Sequence, residues 1–497
     1  MSELMLGNWV DCKLGDVASI IRGVTFPASS KVHEPADGYV ACLRTSHVQE
    51  KLLWDNIYYV PQSHVKRADQ LVGKNDILMS MANSSNLVGK VCINETDRTA
   101  CFGAFLSAIR SKEIDHRYVY YYLKSSEAQQ ALKASASQTV NIANISVGTL
   151  ENLRFPLPPL AEQTRIAAKL DELLAQVDTL KARIDGIPAL LKRFRQSVLA
   201  AAVSGRLTEE WRAVNPCAES AEQQVAKVDA SKTGRLKVRK ADAGFSDDQL
   251  FAIPDGWSWV ENHRLAEDSN TAICAGPFGT IFKAKDFRDA GVPIIFLRHV
   301  AEGVYKTEKP GFMDEAVWKE LHQEYSVHGG ELLVTKLGDP PGTACLYPQG
   351  IGTAMVTPDV IKMSVDERVA LPKYLMFFFN SQHCKGLIEK LAFGATRLRI
   401  DIAMFKGFPI PLPPREEQTE IVRRVEQFFA FADQLEAKVA SAKSRIDHLT
   451  QSILAKAFRG ELVPQDPNDE PASLLLERIK TQRAAAPKAK RGRKASA

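Results

Sequence analysis

The sequence lacks the marks of a membrane protein, an exported protein and a zinc protein. No apolar run approaches the ~18 residues that a membrane-spanning helix needs, and the longest candidate, Tyr374 to Phe379, is far shorter. The first residues, MSELMLGNWVDCK, contain neither a basic n-region nor an apolar h-region. The eight cysteines form no CxxC pair and no Cys/His cluster at zinc-finger spacing, which indicates reduced core thiols. We therefore expect a cytoplasmic protein that has no membrane contact and binds no metal.

Common catalytic motifs are also missing. No GxxxxGK[ST], HExxH or GxSxG sequence occurs, so a hydrolase or a nucleotide-driven motor has no residue support. GDPPG at 338–342 resembles the DPPY motif of amino-methyltransferases, but Gly342 stands where that motif has its aromatic residue. Two prolines and two glycines between alternating strands are more typical of a hairpin turn. The sequence therefore predicts no catalysis by this chain.

Charge is nearly balanced except at one end. The net charge is +5, which permits an acidic partner without requiring one. From Arg478 to the end the chain carries only basic charges, and this alanine-rich stretch predicts a disordered tail. Contact with nucleic acid and simple solvation both remain open for it. Its eight basic residues are Arg478, Lys480, Arg483, Lys488, Lys490, Arg491, Arg493 and Lys494.

The chain repeats one unusual junction. PLPPLAEQTRI begins at Pro156 and PLPPREEQTEI begins at Pro411, and the match continues without a gap to QSVLAAAVSGRL and QSILAKAFRGEL. Each junction is followed by apolar residues spaced alternately four and three apart, as in the seam of a coiled coil. The spacing continues to Val198 and Ile453. The first turns of the two seams are Ile166, Leu170, Leu173, Val177 and Leu180, and Ile421, Val425, Phe428, Ala432, Leu435 and Val439.

A seam of this length needs a partner surface. The simplest solution is that the two helices pack on each other, while packing of each helix on its own domain remains the alternative. Gly205 and Gly460 end the two helices, and Gly186 with Pro188 predicts a kink in the first one near residue 184.

The segments before the two helices resemble each other in the order of their parts. Both begin with a tryptophan-valine pair, NWVDC and WSWVE, continue with a strand and an arginine, and end in an aromatic helix. The aromatic residues fall at helical spacing, which favours core packing over base stacking. We expect an α+β fold with an internal duplication. The predicted parts are a first domain at 1–155, a helix at 156–207, a linker with a short helix at 208–255, a second domain at 256–410, a helix at 411–463 and a C-terminal extension at 464–497.

Duplication of a domain and a helix predicts a particular geometry. Internal repeats generally obey a two-fold axis, which would make the helices antiparallel and send the domains to opposite ends. The seam from Ile166 to Val198 would span about 48 Å at ~1.5 Å per residue. This length is close to one and a half turns of duplex DNA at ~34 Å per turn. If the domains bind DNA, we expect two different half-sites separated by a fixed spacer.

Two variable domains, each followed by PLPPxxEQ and a helix ending in AxxGxL, resemble the specificity subunits of type I DNA restriction and modification systems. The resemblance covers nearly the whole chain and implies two target recognition domains, each reading half of a split DNA sequence. It also implies an antiparallel coiled coil that holds two methyltransferase subunits, and motor-endonuclease subunits that complete the enzyme. The subunit itself would be non-catalytic but required for adenine-N6 methylation and ATP-dependent cleavage. S-adenosylmethionine, ATP and magnesium would bind the partner subunits.

Candidate DNA contacts follow from position and side-chain type. Arg44 and Thr45, which we pair with Arg298 and His299, directly follow an apolar strand, and arginine can bind guanine through two hydrogen bonds. Others flank predicted hairpin turns or lie in polar stretches before the junctions. For each, an ordinary solvated side chain is the alternative. The ten candidates are Arg44, Thr45, Lys90, Asn141, Arg298, His299, Lys336, Thr396, Arg397 and Arg399.

Three functional hypotheses remain from the sequence. The first is a non-catalytic subunit that reads DNA sequence. The second is an enzyme fused to its own recognition domains, which would need motifs that the chain lacks. The third is an interaction scaffold whose end domains bind proteins.

Overall fold

The computed structural model describes residues 7–84, 87–139, 142–236, 238, 250–277, 283–338, 340–391 and 398–485. The chain divides into two compact units. The first unit contains Met1–Asp185 and Ala440–Ala497, and the second contains Gly186–Val439. In the described part of the chain, no helix is both long enough and apolar enough to cross a membrane.

The described residues of the first domain form short strands and four α-helices. Its strands are β1 (Val10–Lys13), β2 (Ala18–Arg22), β3 (Tyr39–Leu43), β4 (Tyr58–Pro61), β5 (Ile77–Ser80), β6 (Ala82–Asn83), β7 (Val91–Ile93), β8 (Cys101–Phe102), β9 (Leu106–Ser111), β10 (Ser137–Thr139), β11 (Ile142–Asn144) and β12 (Arg154–Leu157). Its helices are α1 (Leu14–Val17), α2 (His116–Lys124), α3 (Ser126–Ala134) and α4 (Val147–Glu151). The first long helix, α5 (Leu160–Val203), follows, and then α6 (Glu209–Val214) and α7 (Ala221–Asp229).

The second domain repeats this order. Its strands are β13 (Ser258–Glu261), β14 (Ile273–Ala275), β15 (Phe287–Arg288), β16 (Val292–Ile295), β17 (Val300–Ala301), β18 (Val304–Tyr305), β19 (Gly311–Met313), β20 (Ser326–Val327), β21 (Leu332–Thr335), β22 (Leu337–Gly338), β23 (Ala344–Leu346), β24 (Ala354–Val356), β25 (Val360–Met363), β26 (Leu398–Arg399) and β27 (Pro409–Leu412). Its helices are α8 (Glu315–Val317), α9 (Pro372–Asn380), α10 (Gln382–Leu391) and α11 (Ile402–Gly407). The second long helix, α12 (Arg415–Phe458), and α13 (Ala472–Ala485) complete the chain.

Sheet topology confirms the duplication. A four-stranded antiparallel sheet has the order β2-β9-β5-β7 in the first domain and β14-β25-β21-β23 in the second. A parallel pair, β3 with β8, recurs as β16 with β24. The pairs β1 with β12 and β13 with β27 place Val10 opposite Leu157 and Ser258 opposite Leu412. Because Leu157 and Leu412 are equivalent junction residues, Trp9 corresponds to Trp257, and our pairing of Trp9 with Trp259 was wrong by two positions.

The two long helices run in opposite directions in each unit. In the first unit, the Lys443 ammonium lies 2.5 Å from the Asp185 carboxylate, while Ile166 and Leu170 share a core with Leu454 and Phe458. In the second unit, Arg195 pairs with Asp433 at 2.6 Å and with Glu436 at 2.9 Å. The rings of Phe194 and Phe428 meet edge-on at 6.0 Å. Farther along, the Arg424 guanidinium donates to the carbonyl oxygen of Leu207. Helix α5 is assigned as one continuous helix through Pro188, so the kink stays a prediction.

Burial along the predicted seam is uneven. Ile166, Leu170, Val177, Ile421 and Val425 are buried, and Leu173, Leu435 and Val439 are partly buried. Leu180 and Phe428, however, are 45% and 40% exposed. Phe428 still contacts Phe194 of the other helix, and the place of Leu180 in the seam stays a prediction. In a pair of helices each seam residue is covered from one side only, so a continuous pattern does not ensure continuous burial.

The repeated junction forms the same hydrogen-bonded clamp twice. The Gln163 side chain donates to the Pro158 carbonyl oxygen and accepts from the Asp115 N–H at the start of α2. Gln418 does the same with Pro413 and Leu371 in the second unit. The glutamate before each glutamine accepts from a tryptophan indole, Trp9 to Glu162 at 3.0 Å and Trp257 to Glu417 at 2.9 Å. These four side chains are almost completely buried, so the EQ pair fixes the junction strand and the aromatic helix to the start of each long helix.

The aromatic helices belong to the core, as predicted. Tyr118 and Tyr374 are fully buried, and their hydroxyl groups donate to the carbonyl oxygens of Pro156 and Pro411, the first prolines of the two junctions. The other aromatic residues at these positions are also buried: Tyr121, Tyr122, Phe377 and Phe378.

The segments after the long helices return to the domains. Gly205 and Gly460, with φ of +74° and +70°, reverse the chain after each helix, as predicted. The predicted short helix is present as α7, whose Ala221 and Val225 lie in the core of the second unit. Helix α13 takes the corresponding place in the first unit, because the Ala472 N–H bonds the residue before Trp9 as the Ala221 N–H bonds the residue before Trp257.

The prediction of a disordered tail from Arg478 onward was wrong for residues 478–485. Leu475, Leu476 and Ile479 are buried in the core of the first unit. The Arg483 guanidinium caps the carbonyl oxygens of Gly15 and Ala18. Burial of apolar residues on one face therefore stabilises this helix in spite of its basic charge. Residues 486–497 lie outside the described part of the chain.

Candidate nucleic-acid interface

A chain of hydrogen bonds connects the loops at one end of the first domain. The N–H of Gly103 donates to Leu43 at 2.9 Å, and the N–H of Met81 donates to Phe105 at 2.8 Å. The N–H of Ser80 donates to Lys90 at 2.9 Å, and the Lys90 ammonium donates to the Gln49 side chain at 2.7 Å. Since Gln49 lies in the loop that starts at Leu43, these contacts close a ring. We call this ring, formed by residues 43–49, 80–81, 87–90 and 103–105, the first rim.

Arg44 lies on the first rim at the end of β3. Its guanidinium is exposed, donates to the carbonyl oxygen of Asn56 at 3.0 Å and lies 5.5 Å from the centre of the Tyr58 ring. Among the residues that the structure describes, no carboxylate forms an ion pair with this guanidinium. Thr45 begins the short 3-10 turn Thr45–His47 and is partly buried. An arginine held in this way suits contact with a phosphate or a guanine edge.

Two further exposed side chains lie on the first rim. Lys90 was predicted, and it is exposed at the turn between β5 and β7. Phe105 was missed, although 67% of it is exposed and it directly precedes β9. A single aromatic residue in a loop has no periodic signal that could have revealed it. Asn141 lies outside the described residues.

The second domain repeats these backbone hydrogen bonds, which we call the frame, with different side chains. The N–H of Thr357 donates to Ile295 at 3.2 Å, that of Lys336 to Asp359 at 2.8 Å, and that of Thr335 to Thr343 at 2.8 Å. These bonds match those of Gly103, Met81 and Ser80 in the first domain. We call the loops at residues 295–299, 335–336, 342–343 and 357–359 the second rim. Asp359 therefore stands in place of Phe105, Thr343 in place of Lys90, and Lys336 in place of the buried Met81.

Our pairing of Arg44 with Arg298 was wrong by two positions. The parallel strand pairs align Cys42 with Ile294, because Cys42 faces Cys101 and Ile294 faces Met355. Phe296 is then the equivalent of Arg44. Arg298 is nevertheless exposed and donates to the carbonyl oxygen of Lys309 at 2.8 Å, with its guanidinium 4.2 Å from the centre of the Phe296 ring.

The remaining candidates differ in accessibility. His299 is only 3% exposed, and both of its ring nitrogens bond backbone groups, so we do not carry it into the interface. Lys336 is partly buried, and this burial lowers the pKa of its ammonium group. Arg399 is exposed on β26, opposite Leu337. Thr396 and Arg397 lie outside the described residues.

The segment GDPPG forms a turn rather than a methyl-transfer motif. Strands β21 and β23 pair in antiparallel fashion on either side of it, and Gly342 has φ of +97°. The N–H of Gly342 donates to Thr335 at 2.9 Å, as the N–H of Gly89 donates to Ser80 at 2.8 Å in the first domain. The glycine therefore serves the turn geometry that the sequence predicted. Asp339 lies outside the described residues.

The frame, the clamps and the rims define a duplicated protein with two similar domains and two different exposed faces. A family model described as "Type I restriction modification DNA specificity domain" matches residues 7–189 and 322–442. The chain belongs to the family of type I restriction enzyme specificity subunits. The resemblance drawn from the junction motif is thereby confirmed.

Curated relatives match along almost their whole length. The EcoKI specificity subunit of Escherichia coli strain K12 is 33% identical over 98% of this chain and 98% of its own. The StySPI specificity subunit of Salmonella potsdam is 32% identical with the same coverage. A chain from a solved structure of a type I R-M system is 15% identical, covers 93% of this chain and 100% of its own, and has a TM-score of 0.59, which supports the fold.

Proposed function

We propose that this chain reads an asymmetric, bipartite DNA target, with each domain contacting one half-site through its rim. The observation that carries the proposal is the pairing of one hydrogen-bonded frame with two different sets of exposed side chains. Arg44, Lys90 and Phe105 would contact the first half-site. Arg298 of the second rim would contact the second, together with Arg399, which is next to the rim because the Ile400 N–H donates to the Lys336 carbonyl oxygen. Because the rims differ at equivalent positions, the two half-sites should differ in sequence.

The long helices would set the distance between the half-sites. A helix pair is stiff, and an α-helix advances a fixed ~1.5 Å per residue, so its length converts directly into a spacer length. The helices would also dock two methyltransferase subunits, and motor-endonuclease subunits would join that complex. The chain would itself be non-catalytic and cytoplasmic, while adenine-N6 methylation and ATP-dependent cleavage would take place on the partner subunits. Those subunits would bind S-adenosylmethionine, ATP and magnesium.

Reconstitution tests this assignment. The chain should be assayed for DNA methylation alone and after co-purification with its methyltransferase subunit, and only the complex should methylate. Methylation by the isolated chain would contradict a purely recognising role. Binding to duplex DNA should weaken steeply with salt, because phosphate contacts release counterions. Binding that ignores salt would favour a protein scaffold instead.

Spacer length provides a separate test of the helices. Insertion of one heptad into α5 and one into α12 should lengthen the spacer of the methylated motif and leave both half-sites unchanged. Insertion of one heptad into α5 alone is the control, because it breaks the match between the helices. An unchanged spacer in the double insertion would show that the helices do not set it.

A further inference from the structure

Each rim contains one buried histidine, His47 in the first and His299 in the second. His47 and His299 are each 3% exposed and each ends a single 3-10 turn, Thr45–His47 and Leu297–His299. They are equivalent by strand alignment, since both lie five residues after the paired positions Cys42 and Ile294. His299 was predicted as a DNA contact, and His47 was not.

Both rings make the same two hydrogen bonds. Nδ1 of His47 accepts from the Arg44 N–H at 3.0 Å, and its Nε2 lies 3.1 Å from the Asp55 carbonyl oxygen. Nδ1 of His299 accepts from the Phe296 N–H at 3.2 Å, and its Nε2 lies 3.2 Å from the Glu308 carbonyl oxygen. An Nδ1 that accepts carries no proton, so each ring is neutral, with its proton on Nε2 donated to that carbonyl. Burial lowers the pKa of both rings, which agrees with the neutral form.

These bonds close each loop across its two ends. The residue after each carbonyl acceptor, Asn56 or Lys309, has φ of +51°. The carbonyl of that same residue accepts from the exposed arginine of the rim, Arg44 in the first domain and Arg298 in the second. The two arginines come from different positions of the aligned loops but are held by the same carbonyl. The histidine therefore fixes the backbone that anchors the arginine.

We propose that His47 and His299 are positioning residues for DNA reading, each orienting the rim arginine of its own domain. The proposal rests on the proposed function. Neither ring is accessible to DNA, so each histidine acts through its loop. The repetition of the arrangement on two divergent rims separates it from ordinary core packing, which requires a ring of suitable size but not two identical backbone bonds.

The test measures base preference in the methyltransferase complex. Each base pair of the methylated motif is substituted in turn, and binding is measured for the native chain and for R44A, H47A, H47Q and the R44A/H47A double variant. H47A should weaken the preference at one position of one half-site by about ten-fold, the size of a lost arginine contact to guanine. The double variant should lose no more than R44A, because the histidine acts through the arginine. H47Q should restore most of the preference, since glutamine at this position of a helical turn can accept from the first N–H.

H299A is the matched variant and should affect the other half-site only. Normal preference in a folded H47A variant would overturn the inference, as would additive losses in the double variant or an equal loss at both half-sites. Thermal melting of each variant separates these results from unfolding, and H47Q supplies a folded comparison. If the native complex shows no bipartite preference at all, the proposed function fails first, and the inference fails with it.

Discussion

The two domains agree where they attach to the long helices and differ where they face solvent. Each attachment uses the same buried glutamine, the same tryptophan-glutamate bond and the same tyrosine-proline bond. On the rims, an exposed phenylalanine in one domain corresponds to an aspartate in the other, and a lysine to a threonine. The two domains therefore share one backbone arrangement and present different exposed side chains on it.

One attachment differs in its electrostatics. The Glu417 carboxylate accepts from Trp257 and also from Thr208 and Arg212, at 2.7 to 3.0 Å. Glu162 accepts from Trp9 at 3.0 Å, and its second oxygen is buried without a hydrogen-bond partner in the part of the chain that the structure describes. The segment after α5 therefore completes a charge pair in the second unit. In the first unit, the segment after α12 forms its ion pair with another residue of α5, because Asp469 pairs with Arg165 at 2.6 Å and not with Glu162.

The largest expected effect concerns α13. Removal of residues 472–497 deletes Leu475, Leu476 and Ile479 and exposes the core residues that they cover. Burial of each such side chain contributes about 1.5 to 3 kcal/mol, so the free energy of unfolding of the first unit should fall by about 4 kcal/mol or more. Removal of 486–497 alone is the control and should leave its stability unchanged. Hydrogen exchange followed by mass spectrometry should show faster exchange in β1 and α1 for the longer deletion. Equal protection in both deletions would mean that α13 does not support the domain.

The next effect compares the two glutamates. E417Q leaves Arg212 without its buried carboxylate and should destabilise the second unit by about 3 kcal/mol. E162Q removes a carboxylate that forms no ion pair with the described residues. It should change the free energy of unfolding of the first unit by less than about 1 kcal/mol. Denaturant unfolding with exchange detection in each unit measures both. Equal losses would show that the two attachments are energetically alike.

The pH dependence of the first unit follows from Glu162. Burial raises the pKa of this carboxyl, so the folded state holds the proton more tightly than the unfolded state does. The resulting stabilisation is present at pH values below the unfolded pKa and is lost as pH rises through the folded pKa. E162Q should remove this part of the pH dependence. A stability profile that is identical in the native chain and E162Q would contradict the assignment.

The smallest effects distinguish two residues of the first rim. K90A should reduce the slope of log affinity against log salt by about 0.9, the value for one phosphate contact. F105A should weaken binding by about 1 kcal/mol with an unchanged slope, because an apolar contact releases no counterion. T343A, at the position equivalent to Lys90, should leave the slope unchanged. Fluorescence anisotropy over a range of salt concentrations measures all three, and a reduced slope for F105A would contradict the distinction.

The sequence predicted what depends on local pattern. The junctions, the helix ends at Gly205 and Gly460 and the buried aromatic helices follow from motif and periodicity. The residue-by-residue equivalence between the two domains does not follow from motif or periodicity, because strand pairing determines it. Matching similar residues near a strand placed the equivalent positions two residues away from where the strand pairs place them. Helix α13 was missed because its buried apolar residues, Ala472, Leu475, Leu476 and Ile479, precede or alternate with basic ones. The exposure of Phe105 and the hydrogen bonds of the two histidines depend on loop conformations, which leave no periodic signal in a single sequence.

The most direct test of two half-site readers on one chain is methylome sequencing of the source cell with and without this chain. Deletion should abolish methylation at one adenine motif that has two unlike halves and a fixed spacer. Replacement of residues 1–155 by the corresponding domain of a relative should then restore methylation with one half changed and the other retained. Loss of a continuous motif, or a change in both halves after the replacement, would contradict the account.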